Sequence, residues 1–174
     1  MLYYFAYGSN MLDARLQERV PSAKAIGAAS LDGYRLVFHK KSKDGSVKCD
    51  LVSTASSKAY GVLFSMQEEE LPSLDRAEGV GFGYLRVERH LQYQEESVEA
   101  FLYLAQEAYI DSTGLPYDWY LQFVLQGAKQ NGLPHSYIQK IEKTPYQIDR
   151  DENRSIKNQR TLSRGINRQT SLNS

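Results

Sequence analysis

The residues best suited to chemistry lie at the start of the chain, where an aromatic run meets a glycine. The run Tyr3–Tyr7 predicts a buried strand. It breaks at Gly8, and the residues that follow have the spacing of an amphipathic helix with Asn10 or Ser9 as its N-cap. Such a turn leaves several backbone N–H groups without internal partners, all directed to one region. The chemistry we expect is binding of a carboxylate, a phosphate or a developing oxyanion, although a strand, a glycine turn and a helix also occur together for packing alone.

A second candidate is the segment Leu74–Val80, in which Glu78 precedes a glycine at a predicted helix end. A carboxylate held in a pocket can move protons as a general acid or base. Position alone favours an exposed residue before a helix-ending glycine. Asp75 lies three residues earlier on the same helical face, either as a partner of Glu78 or as a surface charge.

The elements that must position these residues form an irregular pattern of strands and helices. After the first strand, further strands are predicted at Ala25–Ser30, Tyr34–His39, Cys49–Ala55, Tyr60–Met66, Tyr84–Tyr93 and Ser97–Leu104, with a turn at Asp32-Gly33 and a hairpin between the last two. The predicted helices are Asn10–Val20, Glu69–Ala77, Tyr117–Gln130 and Pro134–Lys143. Strands and helices do not alternate as in a parallel sheet, so we expect an α+β domain with a mixed, curved or barrel-like β-sheet and peripheral helices. The first strand should be central in the sheet, and the turn after it should open onto the largest polar pocket.

The composition changes at Gln147. From there to the end the chain has no aromatic residue, and six Lys or Arg stand against three Asp or Glu. We therefore expect a domain of residues 1–146 followed by a basic C-terminal extension, 147–174, that forms a peripheral helix or a flexible tail. Its few apolar residues predict that it stays out of the core.

Charge and cysteine content narrow the classes of function. The 174 residues carry a formal net charge of zero, which gives no indication of nucleic acid as a partner. We find no signal peptide and no apolar run long enough for a membrane span, and a single cysteine, Cys49, suits a reducing cytoplasm. The three histidines are scattered, without the spacing of a metal site or of a Gly-x-Ser-x-Gly hydrolase.

Three segments together resemble γ-glutamylcyclotransferase, a branch of the AIG2-like superfamily: Tyr4–Met11, Leu74–Val80 with Tyr84 after it, and Gln126–Pro134. Shorter matches at Pro21-Ser22-Ala23, Leu31–Tyr34 and Tyr60-Gly61-Val62 fall in the same order, and the resemblance spans residues 2–145 without the basic extension. One departure is the interval from Glu78 to Tyr84, which is one residue shorter than expected.

The resemblance implies a γ-glutamylcyclotransferase-like fold and an intramolecular reaction. The α-amine of a γ-glutamyl group attacks its own γ-carbonyl, which closes 5-oxoproline and releases an amino acid. By resemblance Glu78 is the general acid/base, and no cofactor, metal or covalent intermediate is needed. The substrate-binding residues implied are Tyr4, Phe5, Ala6, Tyr7, Gly8, Ser9, Asn10, Tyr84 and Tyr120. The implied partner is a small-molecule γ-glutamyl substrate, without nucleic acid or membrane, and a homodimer stays open.

Three alternatives remain at this point. A cyclotransferase of the same fold could act on γ-glutamyl-amines or on glutathione. A non-catalytic module could bind small carboxylates through the turn alone, although a carboxylate at Glu78 would oppose such a ligand. A serine hydrolase could use Ser9, but no histidine is placed recognisably as its base.

Overall fold

Five strands form a closed barrel in the computed structural model, which describes the backbone of residues 1–172 and the side chains of residues 1–167. The strands are β1 (Leu2–Ala6), β2 (Lys24–Lys41), β3 (Val47–Met66), β4 (Tyr84–Tyr93) and β5 (Glu96–Ala105). Their order around the barrel is β1-β3-β2-β4-β5. Strand β1 pairs antiparallel with β3 and parallel with β5, at Tyr4 and Phe101, and so closes the barrel. The predicted α+β class and the barrel-like mixed sheet are confirmed. The first strand has a neighbour on each side, as every strand of a closed barrel does.

The second and third strands are much longer than the sequence indicated. The four short strands predicted between residues 25 and 66 are two continuous ones, paired antiparallel from Lys24 opposite Ser65 to Lys41 opposite Val47. The turn predicted at Asp32-Gly33 was wrong. The pairing shifts there and resumes at Tyr34 opposite Ser53, with Gly33 in the left-handed region at φ 77°. A glycine in that conformation can form a β-bulge, which bends a strand without ending it.

The hairpin predicted near residue 95 is confirmed. Strands β4 and β5 pair antiparallel over their whole length, from Tyr84 opposite Ala105 to Tyr93 opposite Glu96. Gln94 adopts a positive φ of 53° in the turn. Strand β5 thus runs back beside β1 and delivers Tyr103 to the same end of the barrel as the N-terminal glycine turn.

Five helices lie around the barrel: α1 (Asp13–Gln17), α2 (Leu71–Glu78), α3 (Asp118–Gln130), α4 (His135–Glu142) and α5 (Glu152–Leu172). Short 3₁₀ turns precede α1 and α2 at Ser9–Met11 and Glu68–Glu70, and a third lies at Glu107–Tyr109. Pro72 falls in the first turn of α2, where a missing N–H costs no helical hydrogen bond. No helix within residues 1–172 has the length and apolar character needed to cross a membrane.

The predicted helix Asn10–Val20 is interrupted. Leu12 is extended between the 3₁₀ turn and α1, and neither Ser9 nor Asn10 caps a helix through its side chain. Both side chains have other partners, because Ser9 Oγ accepts from Arg15 and Asn10 Nδ2 donates to Tyr4 and Glu78. The Ser9 and Asn10 side chains therefore bond to other side chains instead of capping a helix.

Helix α3 fixes the position of the N-terminal turn. Its buried face includes the residues expected from their spacing, Tyr120, Val124, Leu125 and Ala128. A Cβ built on Gly127 would lie 2.5 Å from the backbone nitrogen of Leu12 and 2.6 Å from the carbonyl carbon of Met11. Asn131 Nδ2 also donates to the carbonyl oxygen of Met11 at 3.0 Å. The close contact of α3 with the turn thus requires glycine at position 127.

Helix α5 contributes more to packing than its composition indicated. It lies against α1 and α3, and its inward residues follow helical spacing at Asn158, Thr161, Leu162 and Gly165. The segment forms a helix outside the barrel, one of the two forms expected for it, but Leu162 is buried in the hydrophobic core, so the expectation that it stays out of the core fails at this residue. The polar inward side chains of α5 form hydrogen bonds with α1 and with the residue after it. Asn158 accepts from Arg15, and Thr161 donates to Glu18. A short stripe of inward residues is enough to dock an otherwise polar helix.

We predict that Leu162→Ala lowers the free energy of unfolding by about 2 kcal/mol, because it removes a buried side chain from the contact between α5 and the core. The matched control is Ile156→Ala on the same helix, where the side chain is 47% exposed. Its effect should stay below about 0.5 kcal/mol. Thermal and urea denaturation measure both variants. Equal, small effects would mean that α5 does not dock in solution.

Candidate active site

Glu78 is the last residue of α2, and the backbone after it fixes its position. Gly79 is left-handed at φ 71°, a conformation that glycine adopts without strain. The N–H groups of Gly79 and Val80 bond back to the carbonyls of Arg76 and Asp75, at 3.2 and 3.0 Å. This is the Schellman pattern that ends helices. It leaves the Glu78 side chain largely buried, 16% exposed, at the mouth of a polar cavity.

The N-terminal turn, residues 8–11, forms another wall of the cavity. The N–H groups of Met11 and Leu12 close the turn by bonding the carbonyls of Gly8 and Ser9. Within residues 1–172, the N–H groups of positions 8–10 donate no hydrogen bond. Gly8 also lies close to β3, since a Cβ there would come within 3.1 Å of the Cys49 Cβ. The turn therefore offers uncommitted backbone donors next to Glu78, as an anion site requires.

The space between these walls, called here the inner cavity, is polar and narrow, at about 30 Å³. It is lined by Tyr4, Tyr7, Gly8, Ser9, Asn10, Cys49, Glu78, Tyr84, Tyr103 and Tyr120. The turn opens onto a polar pocket, as predicted, but the prediction that this pocket is the largest was wrong. A groove of about 520 Å³ lies elsewhere, between the hairpin of β2 and β3 and helix α4. Five tyrosine rings occupy much of the barrel end and leave the inner cavity small.

A hydrogen-bond network holds the Glu78 carboxylate. Its Oε1 accepts from Asn10 Nδ2 at 2.9 Å and from Arg19 Nη1 at 2.5 Å. Arg19 also donates to Asn10 Oδ1 at 3.0 Å, and Asn10 donates to the Tyr4 hydroxyl at 3.0 Å. The bond to Arg19 is charge-assisted and holds the carboxylate in place. In the described part of the chain Oε2 has no hydrogen bond, so it is available to a bound molecule.

The tyrosines of the inner cavity are neutral walls and hydrogen-bonding groups. Tyr84 donates to the carbonyl oxygen of Cys49 at 2.5 Å, and the Tyr120 hydroxyl accepts from the N–H of Cys49 at 3.0 Å. Tyr7 donates to the carbonyl oxygen of Tyr103. Burial raises the pKa of Tyr84, Tyr120 and Tyr7 well above that of a free phenol. These hydroxyls therefore keep their protons throughout the physiological range.

Neither of the two nucleophilic side chains in the inner cavity is activated. Burial raises the pKa of the Cys49 thiol to about 12, so it remains protonated. Ser9 Oγ accepts a hydrogen bond from Arg15 Nε at 3.1 Å. None of the three histidines lines the cavity, and His39 is paired with Asp50 at 2.7 Å. Among the described residues, no histidine is placed to deprotonate Ser9.

The structure brings most of the predicted site residues together around Glu78, but it places two elsewhere. Phe5 and Ala6 do not line the inner cavity. They pack against β3 at Gly61, where a Cβ would lie 2.4 Å from the Ala6 carbonyl oxygen and 2.8 Å from the Phe5 ring. Asp75 is no partner of Glu78, since it accepts from the Tyr103 hydroxyl at 2.8 Å and pairs with Arg86.

Three residues of the site were not predicted from the sequence. Arg19 follows α1 and reaches Glu78 only through the tertiary fold. Cys49 enters the cavity because β3 passes beside the N-terminal turn. Of these three, Tyr103 had an indication in the sequence. It lies two residues after Phe101 in the predicted strand Ser97–Leu104, and residues two apart in a strand lie on the same face.

Comparisons with known proteins agree with this geometry. A model of the AIG2-like family matches residues 58–141. The chain is 32% identical to human γ-glutamylcyclotransferase over 146 residues, which cover 80% of this chain and 76% of that protein. The bovine protein of the same name is 33% identical over 144 residues, covering 79% and 76%. A solved structure of a γ-glutamyl cyclotransferase superposes with a TM-score of 0.79 at 28% identity, covering 90% of this chain and 98% of the other. The chain therefore belongs to the γ-glutamylcyclotransferase family.

Proposed function

We propose that this protein is a γ-glutamylcyclotransferase, which converts γ-glutamyl amino acids to 5-oxoproline and releases the free amino acid. The observation that supports it best is the pairing of a buried carboxylate, Glu78, with the uncommitted N–H groups of residues 8–10 in one cavity. Glu78 would transfer protons, and the N–H groups would bind the negative charge that develops on the substrate oxygen. A cyclisation through an oxyanion needs both.

The proposed role of the N-terminal turn is to hold the γ-glutamyl group in a curled conformation. Its N–H groups would bind the carboxylate and the γ-carbonyl oxygen, and Gly8 allows the backbone to approach closely. The attack is intramolecular, so fixing the curled conformer captures part of the effective molarity of about 10⁵–10⁸ M seen in well-oriented systems. Tyr84 and Tyr120 would line the pocket on the other side.

The proposed role of Glu78 is to carry both proton steps. Its free Oε2 accepts a proton from the α-ammonium, and the amine then attacks the γ-carbonyl carbon. The carbon–nitrogen bond of the ring forms while the carbonyl becomes an oxyanion against the turn. The oxyanion collapses, the bond to the leaving nitrogen breaks, and the leaving amine takes the proton from Glu78. Glu78 then accepts the second proton of the ring nitrogen and passes it to the released amine, which leaves as an ammonium, so the carboxylate is restored. General acid–base catalysis of this kind contributes about 10²–10⁴-fold.

Substrate binding has to widen the inner cavity. Its volume of about 30 Å³ suits one or two water molecules and is too small for a γ-glutamyl group. The side chain of Glu78, which lines the cavity, is 16% exposed, and that of its partner Arg19 is 23% exposed. In the proposed reaction, Glu78 exchanges part of its contact with Arg19 for the incoming α-ammonium.

The proposed catalytic domain is residues 1–146, which contain every residue of the inner cavity, and residues 147–174 are an extension. The proposed setting is the cytoplasm, in glutathione metabolism, where a lone buried thiol such as Cys49 stays reduced. We assign no cofactor or metal to the site.

The test is to incubate the full chain with γ-glutamyl-alanine and to measure free 5-oxoproline and free glutamate. We expect 5-oxoproline and alanine in equal amounts, without glutamate. Glutamate release that is lost in Ser9→Ala would indicate the serine hydrolase instead. Faster turnover of γ-glutamyl-methylamine or of glutathione would indicate the other cyclotransferases, and binding without turnover would indicate a non-catalytic module.

A further inference from the structure

A second depression, called here the outer cleft, lies on the other side of Glu78. It has a volume of about 460 Å³ and is bounded by the end of β2, the end of α2 and the aromatic side chains of Phe82 and Tyr109. Glu78 lines both the inner cavity and the outer cleft. A molecule whose reacting bond lies at Glu78 therefore has one end in each space.

The charge of the outer cleft is strongly positive. Its walls carry Lys40, Lys41, Lys43 and Arg76, while its single acidic residue, Glu78, is already paired with Arg19. Among the described residues, none of these four cations forms an ion pair. Four unpaired positive charges around one concave space attract an anion.

Lys40 is the cation of the outer cleft that also contacts a residue of the inner cavity. Its ammonium lies 4.7 Å from the centroid of the Tyr84 ring, and Tyr84 also lines the inner cavity. It also lies against the backbone of Gly83, since a Cβ there would come within 2.7 Å of Nζ. The Lys40 side chain is half-buried, and its ammonium makes no hydrogen bond in the described part of the chain. Burial lowers its pKa, and the ring face is a weak substitute for an anionic partner.

We propose that the outer cleft binds the leaving amino acid and that Lys40 binds its carboxylate. This inference rests on the proposed function and specifies its substrate class. The γ-glutamyl group occupies the inner cavity, the reacting amide lies at Glu78, and the α-carboxylate of the leaving group meets the unpaired cations. Phe82, which is 71% exposed, and Tyr109 then face the side chain of the leaving amino acid. The cleft thereby selects γ-glutamyl amino acids over γ-glutamyl-amines.

The test compares two substrates that differ only in the charge of the leaving group, γ-glutamyl-alanine and γ-glutamyl-alanine amide. The quantity measured is the ratio of kcat/KM for the acid to kcat/KM for the amide. We expect Lys40→Met to lower this ratio by about tenfold or more, mainly through KM, as for loss of a charge-assisted hydrogen bond. Lys40→Arg keeps the charge and should keep most of the ratio. Lys140→Met, in the groove beside α4, is the matched control and should leave the ratio unchanged.

A measurement on the wild type alone makes the test independent of variant folding. Alanine should inhibit the reaction more strongly than alaninamide by a similar factor. An unchanged ratio in Lys40→Met, an equal fall in Lys140→Met, or equal inhibition by the two products would overturn this inference and leave the proposed function intact. If the wild type releases 5-oxoproline from neither substrate, the proposed function itself fails.

Discussion

Glu78→Gln is expected to abolish 5-oxoproline release from γ-glutamyl amino acids while the fold is retained. The amide is nearly the same size as the carboxylate and can still bond Asn10, so packing around α2 changes little. It cannot accept the proton of the α-ammonium, and the protonated amine has no lone pair with which to attack. Steady-state kinetics with γ-glutamyl-alanine measures the loss, and thermal denaturation checks the fold. Glu69→Gln, an exposed glutamate just before α2, is the control and should behave like the wild type.

Glu78→Asp separates the geometry of the carboxylate from its presence. Shortening the side chain by one methylene moves the carboxylate by about 1 Å, a displacement that costs on the order of 10²-fold in rate. Binding of 5-oxoproline, followed by calorimetry, should survive in the Gln variant because the turn provides its main contacts. Turnover by Glu78→Gln close to that of the wild type would refute the proposed acid–base mechanism.

Gly127→Ala is expected to give the largest loss of stability among conservative substitutions in α3. Alanine inside a helix normally stabilises it relative to glycine by about 1 kcal/mol. Here the added Cβ would overlap the backbone of Met11 and Leu12, at 2.5–2.6 Å. Backbone atoms yield less readily than a flexible side chain, so we expect a net destabilisation of about 2–4 kcal/mol. That corresponds to a fall in Tm of roughly 5–10 °C, and turnover should fall because the N-terminal turn is displaced.

The expected change in the free energy of unfolding is opposite in sign to the usual effect of replacing a helical glycine with alanine, so the test distinguishes the two cases. Gln122→Ala, at an exposed position of the same helix, is the control and should change the free energy of unfolding by less than about 0.5 kcal/mol. If Gly127→Ala is as stable as the wild type or more stable, then α3 does not press against the turn as the structure has it.

Elements with a strong local pattern could be predicted from the sequence, and those set by tertiary contacts could not. The hairpin of β4 and β5 was found because two alternating runs flank one short polar turn. Helix α3 was found from the spacing of its apolar face. The continuity of β2 through Gly33 was missed, because a left-handed glycine ends a strand in a turn and only bends it in a bulge. The local residues are the same in both cases, and the partner strand decides between them.

The same division applies to the candidate site. The N-terminal turn and Glu78 could be singled out because each stands next to a helix end with a glycine, where unsatisfied backbone groups concentrate. Arg19, which bonds Glu78 directly, could not be found this way. An arginine after a short helix looks like any solvated surface charge until the fold brings α1 beside α2. Phe5 illustrates the opposite case, since it belongs to the motif yet packs behind the strand.

The closure of the barrel has a consequence for how this protein is made. Strand β1 is synthesised first, but it pairs only with β3 and β5, and its partner Phe101 lies almost one hundred residues further along the chain. Contacts of such long range slow folding. On the ribosome, the aromatic N-terminal segment can pair with β3 once that strand has emerged, but it lacks its second sheet partner until β5 follows. Because the N-terminal turn follows β1 directly and rests on α3, the candidate site is complete only after β5 and α3, both far along the chain, have joined the fold.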